Sequence, residues 1–356
     1  MTARVVHVAS GREWRGGQRQ VWLLARELAR AGKVEQVVVT GARSELAARL
    51  AEDGVRVRAV PWSAGLDPRV LPGVLGELRG ASLVHAHDAH AVTLGGLAAG
   101  LTGRPLVATR RVDFHLRRPG FWARAERVIA ISRAVADVLV ADGIAPARIA
   151  VVHSGVPLDD LRRTPRLGVR DRLGLAPGTT VAANVAALVG HKDHATLLRT
   201  AARLAGRFPS LHWVVAGEGP ERAPLERLRA ELGLDGRVHL LGHIPEPVRL
   251  VADADLFVMS SREEGLGTAV LDAMALGIPV ASTTAGGLPE MLEDGAGVLA
   301  PPRDPDALAH AVARLLEEPG LARSVSQRAS AAVTRFTAER MAEAVGSVYR
   351  SCCPFP

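Results

Sequence analysis

The sequence contains little cysteine and few aromatic residues, and each shortage argues against a class of protein. The two cysteines, Cys352 and Cys353, are adjacent near the end of the chain, so they cannot cross-link the fold or supply a cysteine-based metal site. They fit a reducing compartment. Aromatic residues make up 3% of the chain, and they do not alternate with basic residues as they do in a nucleic-acid stacking surface. We therefore expect no nucleic-acid partner.

The chain also lacks long apolar runs. The longest, Ala91–Leu101, is about half of the roughly 20 residues that a membrane-spanning helix needs. The first residues, Met1–Arg4, lead into a strand-like run without the apolar core or cleavage site of a signal peptide. We therefore expect a cytoplasmic protein without a membrane span.

The length and the charge distribution indicate two domains with different partners. The chain has 356 residues, and domains hold roughly 100 to 200 residues each. Residues 1–163 contain 24 Arg or Lys against 15 Asp or Glu, whereas residues 164–356 contain 20 against 22. The basic first half predicts an anionic lipid surface or a phosphorylated substrate; the alternative is a surface rich in Arg through composition alone.

The pattern of apolar runs repeats once along the chain. Strands are predicted at residues 5–9, 37–39, 55–60, 83–86, 106–108 and 128–131, and again at 181–185, 213–216, 238–241, 256–259 and 278–281. Continuous apolar strands separated by helix-length segments are typical of a parallel sheet. We predict an α/β protein with two doubly wound, Rossmann-like domains, residues 1–163 and 164–337, facing a central ligand cleft. The helical stretch at 338–350 is expected to pack back on the first domain.

Two common nucleotide motifs are missing. The loop Ser10–Gly17 does not contain Gly-x-Gly-x-x-Gly, and the second strand ends in Thr40-Gly41 without the acidic residue that holds a dinucleotide ribose. No Gly-x-x-x-x-Gly-Lys-Ser/Thr loop occurs either. A dehydrogenase and a P-loop phosphoryl transferase are therefore disfavoured.

In the first half, two segments carry candidate chemistry. Gly16-Gly17 precedes a helix, where free N–H groups attract a phosphate or sugar oxygen. His85 and His87 lie two residues apart on a strand and so share one face, followed by Asp88. A zinc site needs a third ligand, and none is apparent. We expect no metal, and a histidine that either faces the cleft or is satisfied within the structure.

In the second half, a lysine and a glycine loop predict a diphosphate site. Of the 44 basic residues only Lys33 and Lys192 are lysines, and Lys192 lies in the loop after the first strand of the second domain. The segment Glu263–Asp272 runs through a glycine loop into an apolar helix. Its N–H groups suit an anion, while Glu264 and Asp272 can accept from hydroxyls on either side. A nucleotide sugar has hydroxyls on both sides of a diphosphate.

These motifs resemble the C-terminal signature of the family 4 glycosyltransferases of GT-B fold. The signature comprises Glu264, Asp272 and the segments 273–280 and 286–290, and counterparts of Gly16-Gly17, His87, 217–220 and 241–242 fall in the family's order. The resemblance implies a retaining hexosyltransferase that uses a nucleotide sugar, without a metal or other cofactor. The expected donor is a UDP-sugar, with a GDP-sugar as the second choice.

The resemblance also implies roles for individual residues. Glu264, Lys192 and His87 would be catalytic: Glu264 would hold the donor sugar, Lys192 the diphosphate, and His87 would lie beside the reaction centre. The other donor-binding candidates are Gly16, Gly17, His191, Gly217, His243, Ile244, Gly267, Thr268, Ala269 and Asp272, with Glu290 supporting the glycine loop. Preorganised positive charge and N–H donors would stabilise the leaving diphosphate.

Two positions depart from the family pattern. The family often has an Arg five residues before the Lys, and here that position is Ala187; His191, Arg12 or Arg15 could replace it. The usual second Glu is Asp272, which is one methylene shorter. Ribose contact could persist with a small backbone adjustment.

The acceptor is expected on the basic first domain. Candidate acceptor-side residues are Asp88, Arg110, Arg111 and Asp113. A saccharide or lipid-linked saccharide is the hypothesis, in synthesis of a bacterial cell-envelope glycan such as lipopolysaccharide, with peripheral contact to the anionic inner membrane surface. The alternatives are a nucleotide-sugar epimerase of similar fold and a catalytically silent sugar-nucleotide-binding module.

Overall fold

A computed structural model describes residues 3–63 and 65–353, so the first two residues of the N-terminal segment discussed above lie outside it. The chain divides into two compact units. The first runs to Pro157 and includes the residues from Phe336 onward, and the second is Leu158–Arg335. The short helix Leu158–Arg162 therefore belongs to the second unit, whereas the boundary expected at residue 163 assigned it to the first.

The first unit is built on a seven-stranded parallel sheet. Its strand order is β3-β2-β1-β4-β5-β6-β7. The strands are β1 (Ala3–Ala9), β2 (Val34–Gly41), β3 (Val57–Val60), β4 (Leu83–Ala86), β5 (Leu106–Arg110), β6 (Arg127–Ala130) and β7 (Ile149–Val151). The helices are α1 (Gly16–Ala31), α2 (Glu45–Glu52), α3 (Leu71–Leu78), α4 (Ala89–Thr102), α5 (Gly120–Arg124), α6 (Arg133–Ala141) and, from the end of the chain, α16 (Ala338–Cys352).

The second unit is built on a six-stranded parallel sheet of order β10-β9-β8-β11-β12-β13. The strands are β8 (Thr180–Val185), β9 (Leu211–Ala216), β10 (Val238–Gly242), β11 (Leu256–Met259), β12 (Val280–Thr283) and β13 (Val298–Ala300). The helices are α7 (Leu158–Arg162), α8 (Val169–Arg172), α9 (His194–Leu204), α10 (Arg222–Glu231), α11 (Val248–Val251), α12 (Thr268–Ala275), α13 (Leu288–Leu292), α14 (Pro305–Glu317) and α15 (Pro319–Ala332).

The predicted fold class, two doubly wound parallel α/β units, is confirmed. The structure adds two edge strands that the sequence did not predict, β7 and β13, each only three residues long. The strand expected to begin at Ile278 begins instead at Val280. Pro279 has no N–H with which to join a ladder, although its carbonyl accepts from Phe257 N at 2.9 Å.

The C-terminal helix α16 packs on α1 over the first sheet. Tyr349 and Val345 of α16 join Leu24 of α1 in one buried apolar cluster. Just before α16, the chain passes so close to Gly155 that a Cβ there would lie 2.6 Å from the Thr337 carbonyl oxygen. Only a residue without a side chain permits this approach. Within the described residues, no helix is long and apolar enough to cross a bilayer.

Replacing Gly155 with Ala should destabilise the first unit by about 1 to 3 kcal/mol, because the added methyl overlaps backbone that cannot move away cheaply. The matched control is Gly76→Ala in α3, where nothing lies within 4 Å of the new Cβ. Alanine favours helix over glycine by up to about 1 kcal/mol, so this control should not destabilise. Urea denaturation with hydrogen exchange in α16 measures both variants. Equal unfolding midpoints for wild type and Gly155→Ala would show that the contact is not tight.

Candidate functional site

At the carboxyl edge of the second sheet, an ammonium and a carboxylate meet. Lys192 lies in a 3₁₀ turn, Gly190–Lys192, after β8, and Glu264 follows β11. Because β8 and β11 are parallel neighbours, their following loops are adjacent. Lys192 Nζ forms an ion pair with Glu264 Oε2, and the two side chains are 17% and 10% exposed. The structure therefore brings together two of the three residues that the sequence indicated as catalytic.

Two serines that were not predicted from the sequence form hydrogen bonds to the two residues of this ion pair. Ser260 Oγ donates to the Lys192 carbonyl at 3.1 Å, and Ser261 Oγ donates to Glu264 Oε2 at 3.2 Å. Thr283 Oγ1 in turn donates to the Ser261 carbonyl at 2.5 Å. All three hydroxyl-bearing residues are buried. The available signal was a pair of hydroxyl residues directly after a buried apolar strand.

The N-terminus of α12 lies beside Glu264. Its N-cap, Gly267, has φ +90°, and a Cβ there would lie 2.7 Å from Leu288 and 3.5 Å from Glu264 Cγ. The helix has no side-chain cap and no acidic residue in its first turn. Its first N–H groups, including those of Thr268 and Ala269, therefore keep a partial positive charge that an anion can satisfy. Asp272 lies in the same helix and is buried.

The remaining donor-side candidates follow neighbouring strands of this sheet. A Cβ at Gly217 would lie 1.8 Å from the Ala186 carbonyl oxygen, so the loop after β9 packs directly on the loop after β8. The His191 carbonyl accepts from Arg262 N at 2.9 Å. His243 is exposed and Ile244 half-buried after β10. Glu290 lies half-buried in α13.

Arg12 and Arg15 were considered as substitutes for the arginine that the family often has at the position of Ala187. Both lie in the first unit and interact with residues of that unit. Arg12 donates to the Ser63 carbonyl at 2.7 Å. Arg15 pairs with Glu13 at 2.5 Å, with both side chains largely exposed.

In the first unit, three buried histidines share one face of the sheet. His7 of β1 is directly in register with His85 of β4, and His87 follows two residues later. His7 Nδ1 and His87 Nε2 are 2.9 Å apart, and their rings stack with centroids 5.2 Å apart. No third histidine for this cluster was apparent from the sequence, and the structure supplies it as His7. His7 could have been predicted to join this cluster, because it lies in the adjacent strand and its side chain faces the same side of the sheet as His85.

All three imidazoles are held neutral. Burial lowers the pKa of His7 to about 4 and places the pKa values of His85 and His87 well below the usual range. Both ring nitrogens of His85 are already engaged, Nδ1 with Tyr349 Oη at 2.6 Å and Nε2 with Thr109 Oγ1 at 2.7 Å.

The donor atoms of the three histidines lie within 4.8 Å of one another, close enough to share a metal ion. A metal there would have to displace the hydrogen bond between His7 and His87 or those of His85. In the structure, His7 and His87 are hydrogen-bonded to each other, and His85 is hydrogen-bonded to Tyr349 and Thr109.

The acceptor-side candidates differ in their surroundings. Asp88 is the N-cap of α4 and also accepts from Ser10 N at 2.7 Å and Ser10 Oγ at 2.5 Å, so it fixes the loop after β1. Arg110 donates to the Phe114 carbonyl, and Asp113 is half-buried. Arg111 lies 3.4 Å from His87 Nδ1.

Arg111 also contacts the start of α1. A Cβ at Gly17 would lie 3.7 Å from Arg111 Cδ. This places the Arg111 side chain beside the N-terminus of α1. Like α12, α1 begins without a side-chain cap and without an acidic residue in its first turn.

Comparison with known proteins identifies the family. Residues 14–160 match the model described as Glycosyltransferase Family 4, and residues 169–332 match Glycosyl transferases group 1. A D-inositol 3-phosphate glycosyltransferase of Thermobispora bispora is 32% identical over 374 residues, covering 90% of this chain and 87% of that protein. The chain belongs to the family 4 glycosyltransferases.

Other relatives of this glycosyltransferase are more distant or match over less of their length. The chain spans about half (48%) of a Mycolicibacterium paratuberculosis protein of the same name, at 37% identity over 58% of the chain. A protein of Arabidopsis thaliana that is one component of phosphatidylinositol N-acetylglucosaminyltransferase is 26% identical, with 85% of this chain and 71% of that one covered.

Among solved structures, Anabaena HepE in complex with UDP-glucose has a TM-score of 0.85 at 21% identity, covering 98% of this chain and 99% of that one. A sucrose-phosphate synthase of Thermosynechococcus elongatus has a TM-score of 0.79 at 20% identity, covering 98% of each chain. The predicted GT-B fold is confirmed.

Acidification should destabilise the first unit through His7. The folded state keeps this imidazole neutral down to about pH 4, whereas the unfolded chain protonates it below about pH 6.5. The unfolded state then binds more protons, so stability present above pH 6.5 is lost as the pH falls towards 4. At pH 5 the loss from this one group is about 2 kcal/mol. His7→Asn should lose correspondingly less stability between pH 7 and 5 in urea titrations.

The control is His310→Asn, because His310 is exposed on α14. This variant should show the wild-type loss of stability. If His7→Asn and wild type lose the same stability on acidification, His7 does not stay neutral in the folded state.

Proposed function

We propose that this chain is a retaining glycosyltransferase that moves a hexose-type sugar from a nucleotide diphosphate sugar to a hydroxyl acceptor. The observation that carries the proposal is the ion pair between Lys192 and Glu264 beside the uncapped start of α12. A single edge of the sheet thus offers a cation, helix N–H donors and a carboxylate. These are the groups that recognise a diphosphate joined to a polyhydroxylated sugar.

The chemistry follows from where charge develops. As the glycosidic bond to phosphate breaks, the leaving diphosphate gains negative charge, which Lys192 and the N–H groups of α12 stabilise. Glu264 accepts from hydroxyls of the donor sugar, and Asp272 from the nucleotide ribose. No protein nucleophile is required if the leaving phosphate takes the acceptor's proton.

The donor we propose is a UDP-sugar, with a GDP-sugar as the second choice. HepE is described in complex with UDP-glucose and also with UDP and glucose, which supports this choice by likeness of fold. His191, Gly217, His243 and Ile244 belong to loops that follow β8, β9 and β10, where the base and phosphates would lie.

The acceptor we propose is an anionic saccharide or polyol, free or lipid-linked, in the synthesis of a cell-envelope glycan such as lipopolysaccharide. Two relatives are named for D-inositol 3-phosphate and for phosphatidylinositol, both of which carry phosphate on a polyol. The first unit supports an anionic acceptor through Arg111, which is partly exposed and has no carboxylate within ion-pair distance among the described residues.

Removing either charge of the pair should abolish donor breakdown. Glu264→Gln keeps the shape of the side chain but loses its charge, and Lys192→Ala removes the cation. We expect each variant to release nucleotide roughly a hundredfold or more slowly, since a preorganised charged contact to the transition state is lost. The measurement is nucleotide release from UDP-, GDP- and ADP-sugars, with and without a polyol phosphate acceptor.

The chain offers a matched control for each variant. Glu263→Gln changes the exposed neighbour of Glu264, and Lys33→Ala changes the other lysine, which is also exposed. Both controls should keep the wild-type rate. Undiminished release in Glu264→Gln and Lys192→Ala would refute the proposed site, and conversion of the donor to an isomer without acceptor would identify an epimerase.

We also propose a peripheral contact between the first unit and an anionic membrane. In the described part of the chain, the exposed large apolar residues all lie in this unit: Leu66, Leu97, Leu101, Val112, Phe114, Val140 and Val151. Leu97 and Leu101 are one turn apart on α4. This helix packs on α5, because a Cβ at Gly96 would lie 2.5 Å from Phe121. The exposed Arg117 and Arg118 shortly precede α5.

Binding to vesicles should depend on Arg117 and Arg118. Each basic residue near an anionic bilayer contributes about 1 kcal/mol, so replacing both with Ala should weaken binding to phosphatidylglycerol vesicles roughly tenfold or more. The control replaces Arg162 and Arg163, an exposed adjacent pair in the second unit. Cosedimentation measures both. Binding that is insensitive to salt, to lipid charge and to the first pair would contradict this contact.

A further inference from the structure

A row of polar side chains crosses four neighbouring strands of the first sheet. Gln36 is on β2, His7 on β1, His87 directly follows β4, and Arg111 directly follows β5. In the sheet these strands lie in the order β2-β1-β4-β5. Gln36, His7 and His87 are all at least nine-tenths buried. A buried row of this kind needs each donor matched to an acceptor.

The direction of hydrogen-bond donation along the row is fixed at the Arg111 end. At one end, the Arg111 guanidinium can only donate, so His87 Nδ1, 3.4 Å away, must be the acceptor. A neutral His87 then carries its proton on Nε2 and donates to His7 Nδ1 at 2.9 Å. His7 in turn carries its proton on Nε2. Each imidazole is thereby restricted to one tautomer.

At the other end, the Gln36 amide has a fixed orientation. Gln36 Nε2 donates to the Ala25 carbonyl at 2.6 Å, which orients the amide and leaves Oε1 as the acceptor. Gln36 Oε1 and His7 Nε2 are both buried without a direct partner among the described residues. Burial lowers the pKa of His7, and Gln36 opposes that lowering, as an accepting oxygen near Nε2 does. The order of donation therefore runs from Arg111 through His87 to His7, and Gln36 Oε1 is the unpaired acceptor whose influence favours a proton on His7.

The group at the solvent end of this row is a cation for which the described residues provide no ion pair. Arg111 is partly exposed, but its Nε is buried and lacks a hydrogen-bond partner among the described residues. Burial lowers its pKa to about 10, and the charge of Asp88 opposes this. Cations in such surroundings are normally paired with an anion.

We propose that Gln36 and His7 are positioning residues: they hold His87 as the Nε2–H tautomer, so that its bare Nδ1 fixes the Arg111 guanidinium for an anionic substrate group. This inference rests on the proposed function only in that the anion belongs to a substrate. The ligand chemistry is a phosphate, from either the acceptor or the donor. His87 acts through Arg111, because both of its ring nitrogens are engaged within the unit.

The tautomer can be measured without any sugar transfer. Two-bond nitrogen–proton correlations on protein labelled with 15N-histidine distinguish a protonated from a bare ring nitrogen, and the signals absent from His87→Gln identify His87. We expect wild-type His87 to be protonated at Nε2 alone. His7→Phe should lose this preference, whereas His7→Asn should keep it, because the Asn carbonyl can accept from the same position.

Phosphate binding tests whether the polar row positions Arg111 for an anion. Inorganic phosphate, titrated against the Arg111 Nε–H signal, should bind about tenfold more weakly to His7→Phe than to wild type, because the buried Nε2–H of His87 loses its acceptor. Gln36→Leu should also bind phosphate more weakly, because the oxygen that favours a proton on His7 is removed. His7→Asn should restore most of the affinity. The matched control is Thr109→Val, which removes a partner of His85 on the same face without touching the row.

Competition between UDP and inorganic phosphate shows whether the phosphate bound at Arg111 belongs to the donor or to the acceptor. If UDP leaves the Arg111 signal and its response to phosphate unchanged, the anion is that of the acceptor; if UDP shifts the signal and blocks phosphate, it is that of the donor. The proposal is overturned if wild-type His87 is protonated at Nδ1, if its tautomer is unchanged in His7→Phe, or if neither phosphate nor UDP moves the Arg111 signal. Absence of transferase activity would overturn only the proposed function.

Discussion

Parallel pairing is the constraint on which both candidate sites depend. When all strands of a sheet run in one direction, their carboxyl ends meet at one edge, and the residues that follow each strand become neighbours. Lys192 and Glu264 are far apart in the sequence, yet they pair because β8 and β11 are adjacent. His7 and His85 are joined in the same way by β1 and β4. Local sequence supplies the side chains, and the strand order decides which of them meet.

The carboxyl edges of the two sheets differ in how their buried charged groups are compensated. In the second unit the Lys192 ammonium and the Glu264 carboxylate compensate each other, and Ser261 adds a hydrogen bond to the carboxylate. Breaking such a pair by removing one partner is costly because it leaves a buried charge unpaired. Under the proposed function, an incoming diphosphate would replace the carboxylate as the partner of Lys192. The same event would free Glu264 for hydroxyls, so the two halves of a nucleotide sugar would bind cooperatively.

Strand periodicity and turn residues were enough to predict the doubly wound architecture and most strands of the two sheets. They did not predict β7 or β13, since three residues carry no periodicity and an edge strand has only one partner. Lys192 and Glu264 were predicted separately, from their loops and from the family resemblance. Their contact was not, because it arises from the order of strands and not from spacing along the chain.

The same reason explains why His7, Ser260 and Ser261 were missed. Each follows or lies in a strand whose neighbours determine its role, and a single histidine or serine has no distinctive spacing. In the first unit, moreover, the acidic candidate Asp88 proves to cap α4 and fix the Ser10 loop. A residue type suited to catalysis can equally serve a helix N-terminus. Only its bonding partners separate the two roles.

The choice of cation at each edge has a physical consequence. Lysine is a compact point charge on a flexible stem, so in the proposed site Lys192 would exchange a carboxylate for a phosphate by a small rotation. Arginine is a planar fork that discriminates by direction, and Arg111 lies against His87, which is in turn hydrogen-bonded to His7. Of the two lysines in this arginine-rich chain, Lys192 is thus the one at a site where the proposed function requires the partner to change. The arginine lies where the proposed binding of an anion requires a fixed direction.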